Sequence, residues 1–215
     1  MEPPASLPGR LFLLAWNPER RRVGGHGVYL GLVLRASALT DLYLSGHLAD
    51  EHGKVRAEGR DRIDDPLLAE VRDLIASSKP RSWRHWVEKD KRAVEGAVRE
   101  QLRSGGWIRV DTEKVLGLFT RYRVTARDPI AVGRMRTQTA RLMCGSGALG
   151  DVDRRAAATA ALAAVGGLGT VAGRRERRRA RERIGRLTDQ AGPALPALRR
   201  AIIAEQAAAA SSSGG

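Results

Sequence analysis

The chain has one cysteine, few aromatic residues and no recognisable catalytic or metal-binding motif. Among its 215 residues, aromatic side chains make up 4% and Cys144 is the only cysteine. This excludes an intrachain disulfide and a cysteine-based zinc site. The four histidines are scattered without an HExxH pair, and no Walker-type glycine loop is present. These absences predict a protein that is not an enzyme, has no catalytic residues, holds no metal or cofactor, and resides in a reducing cytoplasm.

Long apolar runs are also scarce. The segment Leu11 to Trp16 is too short for the core of a signal peptide. The run Ala156 to Gly173 carries no charge over 18 residues, which is just long enough to cross a bilayer. It consists mostly of alanine and glycine, which drive membrane insertion weakly. We therefore expect a buried, closely packed helix there.

Basic residues outnumber acidic ones by 38 to 24, so the net charge is +14. Most of this excess lies in residues 51–150 (+7) and 151–215 (+6). Such a charge favours an anionic partner, which can be a nucleic acid, an anionic membrane or an acidic protein. A helix predicted over Arg174 to Arg186 holds eight arginines against two glutamates. It either contributes a binding face or packs its Ile184 side with its charges in solvent.

The segment Val28 to Leu48 predicts a long apolar helix, because leucines recur at three- and four-residue spacing and Ser45-Gly46 gives a stop signal. Arg35 lies in its middle. A buried guanidinium needs a partner or an opening to water. Arg35 is therefore either one half of a buried ion pair or the floor of an anion pocket.

The other segments predict a mainly α fold: a compact, single-domain helical bundle with one or two short β-hairpins. We expect a flexible N-terminus over residues 1–10, a domain over 11–205 and a disordered, low-complexity tail over 206–215. The remaining elements are a hairpin over Leu48 to Ala57, a helix capped by Asp64-Asp65-Pro66, one helix over Lys79 to Arg103, and a hairpin over Trp107 to Phe119 that turns at Asp111 to Lys114.

The order and spacing of three segments resemble a known family. LRASALTDLYLSGHL, SWRHWVEKDKRAVEGAVREQLRSGGWI and DVDRRAAATAALAAV resemble the bacterial branch of the Golgi phosphoprotein 3 family of phosphoinositide-binding peripheral membrane proteins. The resemblance implies a helical, non-enzymatic protein that associates reversibly with membranes. It also implies binding of phosphatidylinositol 4-phosphate in a basic pocket, and an adaptor role towards a protein cargo.

The family's pocket is carried over residue by residue. Its first two arginines fall on Arg35 and Arg92. Its third arginine falls where this chain has Glu95, and its tryptophan falls on His26. Arg99, one helical turn beyond Glu95, is placed either to pair with that glutamate or to replace the missing arginine. The candidate headgroup-binding residues are Arg35, Arg92, His26 and Arg99.

The alternative is a winged-helix-like, nucleic-acid-binding regulatory protein that uses its basic hairpin and the arginine-rich helix over Arg174 to Arg186. A helix followed by a basic hairpin, as over Val94 to Val124, is the layout of a winged-helix module. Its wing would place four basic side chains against phosphates: Arg109, Lys114, Arg121 and Arg123. The oligomeric state does not follow from the sequence.

Overall fold

A buried helix, α2 (Leu30–Leu44), lies at the centre of the fold. The computed structural model describes residues 2–24, 29–59, 61–115, 119–150 and 152–212. Helices account for more than half of the chain, and the mainly α prediction is confirmed. The other helices are α1 (Leu7–Leu14), α3 (Pro66–Ala76), α4 (Trp83–Glu88), α5 (Lys91–Ser104), α6 (Pro129–Cys144), α7 (Arg154–Val165), α8 (Arg174–Arg179), α9 (Arg181–Ala191) and α10 (Ala194–Ser212).

The strands form three small antiparallel sheets in the described part of the chain. They are β1 (Trp16–Asn17) with β2 (Arg22–Val23), β3 (Leu48–Glu51) with β4 (Lys54–Ala57) and β5 (Arg81–Ser82), and β6 (Ile108–Val115) with β7 (Phe119–Ala126).

Helix α2 is buried on all sides because it packs against α1, α3, α4, α5, α7 and α10. Its stop at Ser45-Gly46 is confirmed: Gly46 has φ +77°, a conformation that favours glycine. The predicted extension to Leu48 is wrong, since the turn at Gly46 reverses the chain and Leu48 begins β3. The predicted start, Val28, lies outside the described residues.

Two predicted hairpins are observed, one of them with a corrected turn. In the β3–β4 hairpin, His52 and Gly53 both have positive φ, as a tight two-residue turn requires. In the second hairpin the predicted turn over residues 111–114 is wrong. Asp111 pairs with Arg123 inside the ladder of β6 and β7, and the connection runs through residues 116–118, which are not described.

Two predicted helices are each broken in two. The helix predicted over Lys79 to Arg103 divides into α4 and α5, because Asp90 adopts a left-handed conformation with φ +53°. The helix predicted over Arg174 to Arg186 divides into α8 and α9 at Ala180. In both places the break redirects the side chains of the second segment.

The alanine-rich segment is the buried helix α7. Asp153 caps it by accepting a hydrogen bond from the Ala156 backbone N–H at 2.8 Å, and residues 157–164 are all buried. Within the described residues, no helix is long and apolar enough to cross a membrane. Two element ends differ from the predicted boundaries: α1 begins at Leu7, and α10 continues to Ser212.

Two charged side chains of α2, Arg35 and Asp41, are buried inside this bundle. Asp41 of α2 is 1% exposed. It accepts a hydrogen bond from the Leu7 backbone N–H at 2.7 Å and forms an ion pair with Arg155 of α7 at 2.6 Å. Burial raises the pKa of Asp41, while the Leu7 N–H and the Arg155 guanidinium partly offset that rise. This carboxylate therefore ties α1 and α7 to the central helix.

We predict that Arg155→Gln lowers the free energy of unfolding by about 1–2 kcal/mol at pH 7, because Asp41 loses a charge-assisted hydrogen bond. The loss is moderate because Arg155 is partly exposed and solvent screens its charge. A raised pKa in the folded state means that the contribution of Asp41 to stability falls as pH rises above 3.8, its unfolded value. Removing Arg155 raises the folded-state pKa of Asp41 further. The stability difference between Arg155→Gln and the unmodified protein should therefore shrink as the pH approaches 4.

Urea unfolding at pH 4 and pH 7 measures this difference. Arg154→Gln is the matched control, since Arg154 is its exposed neighbour on α7. A deficit in Arg155→Gln that is equal at both pH values would show that Asp41 does not depend on this guanidinium.

Candidate functional site

Arg35 lies inside the bundle rather than at its surface. It is 4% exposed, and its Nε donates a hydrogen bond to the Trp86 carbonyl oxygen at 3.0 Å. Its Nη2 is buried and has no hydrogen-bond partner in the described part of the chain. Burial lowers the pKa of Arg35, and the nearby carboxylates of Asp90 and Glu70 act in the opposite direction without forming an ion pair with it.

The Trp86 carbonyl explains why Arg35 is needed there. It belongs to the last turn of α4, where carbonyl groups have no partner within the helix. The chain then leaves the helical path at Lys89 and Asp90 before α5 begins. Arg35 thus supplies the missing donor and fixes the linker between α4 and α5 against the central helix.

A small cavity of about 160 Å³ lies beside this linker, between the N-termini of α2 and α5. Arg92 is exposed at its edge, and Glu95 also lines it. Two basic side chains, Lys91 and Arg92, line the cavity, and Lys91 is neutralised by an ion pair with Glu205 of α10. The cavity is lined by Tyr29, Leu30, Gly31, Leu32, Lys91, Arg92, Glu95 and Glu205.

Two helix N-termini meet at this cavity, and the residue that precedes each helix does not cap it with its side chain. Tyr29 precedes α2 and Asp90 precedes α5, and neither side chain accepts a hydrogen bond from the first turn. Uncapped N–H groups and the helix dipole both favour an anion at such a position. The local arrangement can therefore receive a phosphate, although Glu95 stands beside it.

The close approach of the two helices depends on Gly31. A Cβ at this position would lie 2.0 Å from the Lys91 carbonyl oxygen. Only glycine allows the backbones of α2 and α5 to meet there. A glycine within an apolar helix was the sequence signal for this contact, and the sequence analysis missed it.

The three predicted site residues that the structure describes, Arg35, Arg92 and Arg99, are not brought together in one pocket. Arg92 lines the cavity, and Arg35 lies in the layer beneath it, against α4. Arg99 forms no ion pair with Glu95 in the described structure. Its guanidinium instead lies 4.1 Å from the centre of the Tyr122 ring of β7, a cation–π contact. His26 lies outside the described residues.

Two observations concern metal-ligating and nucleophilic side chains. Within the described ranges, no cluster of three or more His, Cys, Asp or Glu side chains could hold a metal ion. Partial desolvation raises the pKa of the Cys144 thiol, with the charge of Glu176 acting in the same direction. A thiol with a raised pKa is less often the reactive thiolate.

We predict that Gly31→Ala lowers the free energy of unfolding by about 1–3 kcal/mol, because the new Cβ forces α2 and α5 apart. Chemical denaturation measures the change. Gly133→Ala in α6 is the matched control: its Cβ would meet nothing within 4 Å, so it should be neutral or stabilise by up to about 1 kcal/mol. Equal stability of the two variants would contradict the close approach at Gly31.

The model of one protein family, described as Golgi phosphoprotein 3 (GPP34), matches residues 7–204, nearly the whole chain. No curated protein matches the chain. Because the match covers almost every element from α1 to α10, the chain belongs to the Golgi phosphoprotein 3 family.

Proposed function

We propose that this protein binds anionic phospholipid headgroups at a membrane surface, and that the cavity between the N-termini of α2 and α5 receives the phosphate. The observation that carries the proposal is Arg92: it is exposed at the cavity edge, forms no ion pair within the described residues, and lies beside two uncapped helix N-termini. By family resemblance the headgroup is phosphatidylinositol 4-phosphate.

The residues have different roles in this proposal. Arg92 contacts phosphate oxygens through its planar guanidinium, and the first N–H groups of α2 and α5 supply further donors. Arg35 acts indirectly, because its bond to the Trp86 carbonyl holds the start of α5 in place. Its unpartnered Nη2 is a donor that becomes available if the linker around Asp90 moves on binding.

Charge outside the cavity supplies the rest of the attraction. Each Lys or Arg close to an anionic surface contributes about 1 kcal/mol, and salt screens this term. Inside the cavity Glu95 and the Lys91–Glu205 pair limit the positive charge. Binding should therefore combine weak headgroup selectivity with strong salt dependence.

In this role the protein is not an enzyme and associates reversibly with membranes from the cytoplasm. It would also act as an adaptor if it bound a protein cargo while on the membrane. The competing function, nucleic-acid binding through the β6–β7 hairpin, has less support: Arg109 of that hairpin is paired with Asp111 at 3.0 Å, and Arg99 on the adjoining helix is stacked on Tyr122.

We predict that Arg92→Gln reduces retention on phosphatidylinositol 4-phosphate vesicles by about tenfold, because the cavity loses its one unpaired guanidinium. Co-sedimentation near physiological salt measures retention against phosphatidylserine vesicles of equal surface charge, with duplex DNA as competitor. Arg134→Gln removes the same charge from an exposed position on α6 and is the matched control.

Selective retention that Arg92→Gln abolishes and Arg134→Gln preserves would support the headgroup site. Equal retention on both anionic vesicles, lost to the same extent in both variants and displaced by DNA, would refute it. That result would favour binding by net charge and the nucleic-acid alternative.

A further inference from the structure

A second, larger cavity lies on another part of the molecule, where the end of α7 meets α8, α9 and α10. Its volume is about 720 Å³, within the range of small-molecule sites. It shares no lining residue with the cavity at Arg92. Six arginines line it: Arg174, Arg177, Arg178, Arg181, Arg199 and Arg200.

These six guanidinium groups are not neutralised by the protein. None of them forms an ion pair with a carboxylate in the described part of the chain, and the one acidic side chain in the lining is Asp189. Elsewhere on the surface, arginines do pair: Arg56 with Glu58 at 2.5 Å and Arg103 with Glu100 at 2.6 Å. The side chains that line this arginine cavity therefore carry a net charge of +5, six arginines against Asp189.

The break between α8 and α9 creates this concentration of charge. Because the chain turns at Ala180, Arg178 of α8 and Arg181 of α9 both face the cavity, opposite Arg199 of α10. Half-buried Arg177 donates a hydrogen bond to the Ala172 carbonyl oxygen. Desolvation lowers its pKa, and the neighbouring charge of Arg174 acts in the same direction. Like charges held this close are stabilised most simply by an anion between them.

The inner part of the cavity is apolar. Leu195 is fully buried, and Val165 and Ile184 are partly buried beside it. A cavity with an apolar inner wall and several arginines fits a ligand that joins a multiply charged group to a less polar body. Guanidinium groups suit phosphate oxygens in particular, because their planar forks bind two oxygens at once.

We propose that the arginine cavity binds a multiply phosphorylated small molecule of about nucleotide size. Its phosphates lie against the arginines of α8, α9 and α10, and its body packs against Val165 and Leu195. The phosphates are carried either by a free nucleotide-like molecule or by a lipid headgroup. This site is separate from the headgroup site at Arg92 and does not depend on it.

Isothermal titration calorimetry of the full chain tests the proposal with ATP, inorganic triphosphate and AMP as probes. ATP should bind about tenfold or more tightly than AMP, because several arginines engage several phosphates. It should also bind more tightly than inorganic triphosphate, which lacks a body to pack against the apolar wall. Absence of ATP binding at millimolar concentration would overturn the proposal.

Two double variants separate the cavity from overall charge. Arg178→Gln with Arg199→Gln removes one arginine from each side of the cavity, and ATP affinity should fall about tenfold or more. Arg175→Gln with Arg179→Gln removes the same charge from exposed positions on α8 outside the lining, and should change affinity less than about twofold. An equal loss in both would overturn the proposal.

A third variant tests the space without changing the charge. A Cβ at Gly185, which lines the cavity, would meet nothing within 4 Å, so a larger side chain is accommodated. Gly185→Trp should fill the cavity and block ATP binding, whereas Gly185→Ala should not. If Gly185→Trp binds ATP as tightly as the unmodified protein, ATP binds elsewhere and the proposal is overturned. The same conclusion follows if duplex DNA displaces ATP equally well from every variant.

Vesicles with a bisphosphorylated inositol lipid distinguish the two sources of phosphate. If the Arg178/Arg199 variant loses retention on them in proportion to its loss of ATP affinity, the cavity takes a headgroup. If it loses ATP affinity alone, the cavity takes a free ligand. Arg92→Gln should leave ATP affinity unchanged, so failure of either site is recognised independently of the other.

Discussion

The buried carboxylate of Asp41 is the interaction on which the arrangement of this bundle depends. It sits in the last turn of α2 and has two partners from distant parts of the chain, the Leu7 backbone N–H and the Arg155 guanidinium. A buried charge of this kind is costly without partners, so α1 and α7 must pack against α2 in one register. Arg155 also donates to the Ala5 carbonyl oxygen at 2.8 Å, which fixes the chain before α1.

Once α2 is fixed, its N-terminal half positions the candidate headgroup site. Gly31 admits the start of α5 at backbone contact distance, and one turn later Arg35 binds the end of α4. Two helix N-termini and Arg92 then meet at one small cavity. The arginine cavity arises differently, because it depends on the break at Ala180 and on the packing of α8, α9 and α10 around the end of α7.

Helix caps and stops could be predicted from the sequence, while most contacts between distant segments could not. Gly46 ends α2 and Asp65 caps α3 by accepting from the Leu68 N–H at 3.1 Å, and both follow from the residue and its immediate neighbours. The break at Asp90 was missed, because a left-handed conformation at a non-glycine residue has no strong sequence signature. Contacts between distant residues could not be predicted, because no local pattern encodes them. Lys91 pairs with Glu205, 114 residues away, and Arg99 lies on Tyr122 of another element.

The central claim is that a phosphate headgroup is received where α2 and α5 begin. Hydrogen–deuterium exchange of the full chain with phosphatidylinositol 4-phosphate vesicles, compared with phosphatidylserine vesicles of equal surface charge, tests it most directly. The account expects additional protection of the first turns of α2 and α5 with the phosphoinositide alone. Protection that is the same with both vesicle types, or that is confined to the β6–β7 hairpin, would contradict it.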